Sequence, residues 1–384
     1  MTRDATTLSH SGRRAVLLMF FANGALLANW LSRIPQIQAR LNLSEGQLGL
    51  TLMGFALGVL TALSLAGGLI ARFGSRRVTA KAGTLLCCLL PTLALLPHSV
   101  ALECGLFLFG AGMSTMDVAM NAQGVEVERT LGRPVMSSFH AAFSIGGFAG
   151  AGLGAMMASG QVGPALHFSI AGVGFLILIL FAATRLLPFS AAPGSPAGGP
   201  VFRLPGRSLW PLGMVAFCSS VGEGAMADWS AVYLKKVVAT ADSTAAIGFA
   251  VFSITMTVGR LLGDHLAGRW GGPRLVQGGG VLAFLGLLLA TLFPQVVPVM
   301  LGFAAVGAGL SIVVPLTFSA AGNFPDLAPG LGIAGVATIG YVGFLAGPPV
   351  IGLLAEAVTL RGSMVLVMLL VGSLVFTAPA LRHR

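Results

Sequence analysis

Twelve apolar stretches, each long enough to cross a bilayer, run almost end to end through the 384 residues of this chain. A hydrocarbon core of roughly 30 Å needs about 20 apolar residues of helix to span it. Backbone in lipid must also satisfy its own hydrogen bonds, which leaves helices or closed barrels as spanning structures. The stretches fall at 14–37, 47–70, 78–97, 101–124, 136–160, 165–187, 209–234, 244–267, 274–293, 296–320, 331–355 and 362–380. With 55% of residues hydrophobic, 9% charged and a mean hydropathy of +0.90, the chain has no water-soluble composition for its length. The pattern predicts an all-α polytopic membrane protein with 12 transmembrane helices embedded in a lipid bilayer.

The net charge of +10 would raise nucleic acid as a partner in a soluble protein. Here the basic residues sit in short loops, so they speak to orientation, and no nucleic acid is expected. With the N-terminus placed inside, sixteen of the 22 Lys and Arg fall on inside segments and five on outside segments, with Arg260 within a helix. The positive-inside rule then predicts both termini on the cytoplasmic side, and arginine outnumbering lysine 19 to 3 suggests a GC-rich bacterial genome, so the expected location is a bacterial inner membrane. The first apolar run follows Arg3, Arg13 and Arg14 but has no A-x-A cleavage site, so it is expected to be retained as a helix. Cys87, Cys88, Cys104 and Cys218 lie in or beside apolar segments with neither disulfide framework nor metal spacing.

One connection stands apart. Residues 188–208 are rich in Pro, Gly and Ser and cannot span a membrane. They predict an N-terminal six-helix bundle over 1–187, a cytoplasmic linker over 188–208 and a C-terminal six-helix bundle over 209–384. An internal repeat agrees with the split: Leu69-Ile70-Ala71-Arg72-Phe73-Gly74 matches Leu266-Ala267-Gly268-Arg269-Trp270-Gly271.

The segment Gly67-Gly68-Leu69-Ile70-Ala71-Arg72-Phe73-Gly74-Ser75-Arg76-Arg77 resembles the loop signature G-x-L-a-D-R-x-G-R-R of the major facilitator superfamily, with Ala71 in place of the acid. The second half carries Gly259-Arg260-Leu261-Leu262-Gly263-Asp264, a related form. The resemblance covers nearly the whole chain and implies two pseudo-symmetric six-helix bundles, the major facilitator fold. It also implies a gating role at the cytoplasmic side for Arg72, Arg76, Arg260, Asp264 and Arg269. Phe21-Ala22-Asn23-Gly24, Asp117 to Asn121 and Val221-Gly222-Glu223 are similar to the F-A-N-D, E-x-x-x-N and V-G-x-E motifs of the fucose-permease group, with Gly24 replacing the F-A-N-D acid. Met116–Glu128, Ser137–Gly147 and Ala225–Leu234 resemble a MosC-like bacterial subgroup.

Charged groups at mid-membrane cost about 2.5–3.5 kcal/mol on insertion scales, so each is weighed as a functional candidate. Asp117 lies near the middle of the fourth stretch with Asn121 one turn on, a carboxylate and amide suited to a proton carrier beside a hydroxyl-binding group. The alternative is an acid that only fixes helix packing. Glu223 lies near mid-depth in the seventh stretch, flanked by Gly222 and Gly224, where the helix is expected to unwind or let a solute approach. Asp117 and Glu223 are the candidates for proton coupling, with the proton as the coupling ion. Trp229 offers a ring for stacking on a sugar and Asp228 a hydroxyl acceptor; both also suit the outer interface. Asn23, Asn29 and Trp30 in the first stretch, and Tyr341 in the eleventh, complete the substrate-binding candidates, with interhelical packing as the alternative. Arg33 is expected to snorkel to the outer interface. His140 either relays protons or bridges helices, and Arg260 and Asp264, four apart, are placed to pair.

No G-x-x-x-x-G-K-S/T loop, metal-ligand spacing or nucleophile–base pair occurs, so neither catalysis nor a cofactor or metal is expected. The expectation is a monomeric secondary active transporter of a small polar solute (a sugar, polyol or inositol-like compound) working by alternating access with protons. The alternatives are a proton-antiport exporter of an amphipathic compound and a membrane sensor that moves nothing.

Overall fold

The computed structural model describes residues 3–43, 45–188, 206–240, 242–325 and 327–382. The linker expected at 188–208 lies outside them from 189 to 205. The described residues form α1 (Arg3–Leu31), α2 (Ile34–Leu41), α3 (Glu45–Phe73), α4 (Ser75–Leu93), α5 (Ser99–Leu131), α6 (Met136–Ser159) and α7 (Pro164–Ala183). They continue with α8 (Trp210–Lys236), α9 (Asp242–Trp270), α10 (Gly272–Leu292), α11 (Val296–Leu310), α12 (Val313–Gly322), α13 (Pro329–Val358), α14 (Leu360–Gly372) and α15 (Leu374–Thr377). There is no strand among them. The segments α1–α2, α11–α12 and α14–α15 are broken helices, so the fifteen pieces make twelve membrane helices.

Three breaks depart from the continuous helices expected, the shortest at Ser373 between α14 and α15. α1 and α2 part at Ser32-Arg33, and Pro35 lacks the N–H that would close the turn. α11 and α12 part at Ser311-Ile312, four residues before Pro315. Among the described residues, ten segments are long and apolar enough to cross a membrane by themselves. α4 and α8 fall short because Arg76, Arg77 and Lys81 crowd the first and Glu223, Asp228, Lys235 and Lys236 punctuate the second.

The chain forms two compact units: Met1–Val135 with Phe139–Leu204 and Asp326–Ala334, and Met136–Ser138 with Pro205–Pro325 and Gly335–Arg384. The repeat read in the sequence reappears in the backbone. α3 and α9, α4 and α10, and α5 and α11 begin at positions related by the same offset as Gly74 and Gly271. Both glycines precede a helix with φ of 82° and 77°, a left-handed backbone that glycine adopts without penalty. The Gly74 N–H donates to Ile70 O at 2.8 Å and the Gly271 N–H to Ala267 O at 2.9 Å. Asn42 and Ala239, also one offset apart, share a positive φ.

Apolar burial does not drive helices together in lipid, so close backbone packing must. Within the first unit, α1 and α6 touch through Gly24, Gly146 and Gly150, and α3 and α5 through Gly54, Gly58 and Gly110. Within the second, Gly279 faces Gly309 and Gly286 faces Gly302 across α10 and α11. Ile177, Leu301 and Leu353 are among the large apolar side chains left facing outward, as a lipid-facing surface requires.

Candidate functional site

In the first unit, Asp117 and Asn121 stand one turn apart on α5. Asn121 is fully buried, and its Nδ2 donates to the Asp117 main-chain oxygen at 2.9 Å and to Asp117 Oδ1 at 3.2 Å. Its Oδ1 lies 3.1 Å from Nε2 of His140 on α6. An amide oxygen only accepts, so with this amide orientation the histidine carries a proton on Nε2. The imidazole rests against Phe20 of α1, which stacks on Phe139. Among the described residues, no cation lies within ion-pair distance of Asp117. The motif pairs Asp117 with Asn121; the packing of α5 on α6 adds His140.

Asn23, also buried, presents an Nδ2 with no hydrogen-bond partner. Gly24 beside it explains the missing acid of the first helix. A Cβ at position 24 would fall onto the Phe143 carbonyl oxygen of α6, with Gly147 N at 3.2 Å. The seam between α1 and α6 leaves no room for a carboxylate there.

Asn29 belongs to a separate buried cluster. Its Nδ2 donates to Ala25 O at 2.7 Å, and its Oδ1 lies 2.6 Å from His167 Nε2 of α7. His167 Nδ1 accepts from Arg33 Nε at 3.0 Å, and Arg33 Nη2 donates to Val162 O at 3.0 Å. Arg33 is 2% exposed, so the expected snorkelling is corrected: the guanidinium turns inward at the break between α1 and α2 and finds a histidine and a carbonyl. Trp30 is buried against Phe168.

In the second unit, α8 runs unbroken past Gly222 and Gly224, so the expected unwinding at Glu223 does not occur. Glu223 accepts from Ser219 Oγ at 3.3 Å, and its Oε2 lies 3.5 Å from Arg260 Nη2 of α9. Arg260 Nε donates to the Ser311 carbonyl at 3.4 Å. Asp264 accepts the backbone N–H groups of Ser137 at 2.8 Å and Ser138 at 3.0 Å, all within this unit. That carboxylate closes a helix start that has no side-chain cap of its own. Asp228 is exposed, while Trp229 is half-buried, its ring near Gly352 of α13 and its Nε1 without a hydrogen-bond partner. Tyr341 is half-buried on α13.

The basic residues of the repeated loop take different parts. The Arg72 guanidinium lies 5.3 Å from the Phe73 ring centroid. Arg76 donates to Ala183 O at 3.1 Å and Thr184 O at 3.3 Å, covering the carbonyl end of α7. Arg269 is exposed. Sequence reasoning did not single out Gln123. It is buried, donates to Ser75 Oγ at 2.8 Å and Leu187 O at 3.2 Å, and accepts from Leu187 N at 3.0 Å, joining α5 to the start of α4 and the exit from α7. Among the described residues, no three His, Cys, Asp or Glu side chains gather as metal ligands do.

The Major Facilitator Superfamily profile matches residues 15–326. An uncharacterised MFS-type transporter of Yersinia pestis is 39% identical over 88% of this chain and 88% of its own. The membrane protein MosC of Rhizobium meliloti is 33% identical over 96% of this chain and 90% of its own. Among solved structures, FucP in its outward conformation superposes with a TM-score of 0.78 at 15% identity, covering 97% of this chain and 99% of that one. The proton:xylose symporter XylE gives 0.76 at 13%, covering 97% and 95%. The chain belongs to the major facilitator superfamily, as a membrane transporter and not an enzyme.

Proposed function

We propose that this transporter carries a small polar solute (a sugar, polyol or inositol-like compound) across the bacterial inner membrane by alternating access, coupled to protons. The observation that carries the proposal is the Asp117–Asn121–His140 cluster, a half-buried carboxyl in an apolar helix with a donor beside it and, among the described residues, no counter-charge. Asp117 can take and release a proton without breaking an ion pair, whereas a proton on Glu223 would cost its pairing with Arg260. Asp117 is therefore the proton carrier and Glu223 the paired acid that supports the site. The unpaired donors Asn23 Nδ2 and Trp229 Nε1 suit hydroxyl acceptors on a solute, since a buried donor costs free energy until something accepts from it. Structures of the same fold include a fucose:proton symporter of E. coli and a proton:xylose symporter, which makes hydroxylated solutes the first class to try.

Residues 1–187 and 209–384 are the two rocking halves of this scheme. The excess of Arg and Lys on one set of loops supports cytoplasmic termini and a cytoplasmic linker. Arg72, Arg76, Arg260, Asp264 and Arg269 then belong to the cytoplasmic gate.

The test is proton influx into proteoliposomes on addition of L-fucose, D-xylose or myo-inositol. One of these solutes should drive influx, and Asp117→Asn should abolish it while the protein stays folded. Solute flux without proton movement, or undiminished in Asp117→Asn, removes Asp117 as the carrier. Proton-coupled extrusion of a hydrophobic dye, with no response to the polar solutes, overturns the substrate class.

A further inference from the structure

The break between α11 and α12 leaves a main-chain carbonyl without its ordinary helical partner. In a continuous helix the Ser311 oxygen would accept from the N–H of residue 315. Residue 315 is proline and has no N–H. The Ser311 oxygen instead accepts from Arg260 Nε on α9 at 3.4 Å. Gly259, next to Arg260, makes the approach possible: a Cβ there would run into Ser311 Oγ, with Ser311 Cβ at 2.7 Å. The Ser311 hydroxyl turns away to Ala308 O at 2.7 Å and leaves the carbonyl to the arginine.

A guanidinium is a rigid planar fork, so fixing Nε fixes where the two Nη groups point. With Nε on Ser311 O, Nη2 lies 3.5 Å from Glu223 Oε2. Both Arg260 and Ser311 are buried. The chain thus assembles an acceptor, a small residue that permits approach, and a proline that keeps the acceptor free.

We propose that Pro315 is a positioning residue for Arg260: by withholding an N–H from Ser311 O, it holds the guanidinium in line with Glu223. The proposal deepens the functional reading above, in that the Arg260–Glu223 pair serves transport. Pro315→Ala restores the missing donor. The new backbone N–H at position 315 then competes for the Ser311 carbonyl, the helix closes, and Arg260 Nε loses its acceptor.

The experiment uses the full-length protein in lipid nanodiscs without added solute. Hydrogen exchange of the Arg260 Nε–H is followed by NMR on 15N-arginine-labelled protein, with the signal assigned by its loss in Arg260→Lys. Exchange should quicken about tenfold in Pro315→Ala, the low end for losing a hydrogen bond made by a charged group. In that variant the backbone amide at position 315 should be protected, and the melting temperature should hold or rise because a helical bond has been added. Unchanged Nε–H exchange, a freely exchanging amide at position 315 or a lowered melting temperature would each overturn the proposal. In proteoliposomes, wild-type flux in Arg260→Ala would sink the role of the pair and leave the exchange result standing, so the two failures read apart.

Discussion

Gly24 is a position in the first unit at which a single methyl group should be costly. Its Cβ would meet the Phe143 carbonyl oxygen, the Phe143 carbonyl carbon at 3.0 Å and Gly147 N at 3.2 Å, all backbone atoms of α6 that cannot rotate aside. To reach ordinary contact, α1 and α6 must part by about an ångström. That movement also loosens Gly146 against Phe21 and Gly150 against Ala25 on the same seam. Overpacking typically costs about 1–3 kcal/mol, and the upper end applies where only backbone can yield. Alanine returns about 1 kcal/mol through its better helix propensity. Gly24→Ala should therefore destabilise by about 2 kcal/mol, or roughly 4–8 °C in melting temperature for a unit of this size. The assay is thermal unfolding in detergent followed by tryptophan fluorescence. Gly147→Ala and Gly152→Ala are the controls: a Cβ at either meets nothing within 4 Å, so both should melt at or slightly above wild type. Gly24→Asp, which restores the acid of the F-A-N-D motif, should melt at least as low as Gly24→Ala and add no proton step. If Gly24→Ala melts with the controls, the packed seam does not explain the missing acid.

Gln123→Leu leaves Ser75 Oγ and both polar groups of Leu187 without their partner. It should cost about 2–4 kcal/mol, read as a lowered melting temperature, and a loss under about 1 kcal/mol would show that the clasp is dispensable. His167→Phe takes the Nε acceptor from buried Arg33, which keeps its bond to Val162 O, and the partner from Asn29 Oδ1, and should cost about 2–4 kcal/mol. Adding Arg33→Met should recover much of that loss, and strictly additive effects in the same melting assay would refute the coupling.

The helices were legible because a spanning segment is defined by length and hydropathy, quantities that survive errors of a few residues. The broken helices were not: Pro315 sits in a run that stays apolar on both sides and Pro35 falls near the polar end of an expected span, and hydropathy does not register a missing N–H. Asp117 and Asn121 could be paired from spacing alone because i and i+4 share a helix face. Asn121 with His140, and Asn29 with His167, depend on which faces of separate helices meet, and no local pattern encodes that. Arg33 was misread for a related reason. Sequence depth gives distance from the membrane surface but not direction, so an inward arginine and a snorkelling one look alike until α7 is packed beside it.

The two halves share a backbone plan and divide their chemistry. At the offset that superposes Gly74 on Gly271 and the starts of three successive helices, Asp117 falls opposite Val314 and Glu223 opposite Leu26. Arg260 falls opposite Leu63. The features that repeat are those a helix hairpin needs to form at all: the left-handed glycine and the small residues that let helices touch. The features that do not repeat are the charged and amide groups within the helices, Asp117, Asn121, Glu223 and Arg260, which cost free energy wherever they lie. Duplicating them would double that cost without doubling what they do. One half holds an unpaired carboxyl and the other an ion pair braced by a freed carbonyl. If the proposed proton coupling holds, a proton and a solute ask different things of the two halves, and departures from the repeat are where each is met.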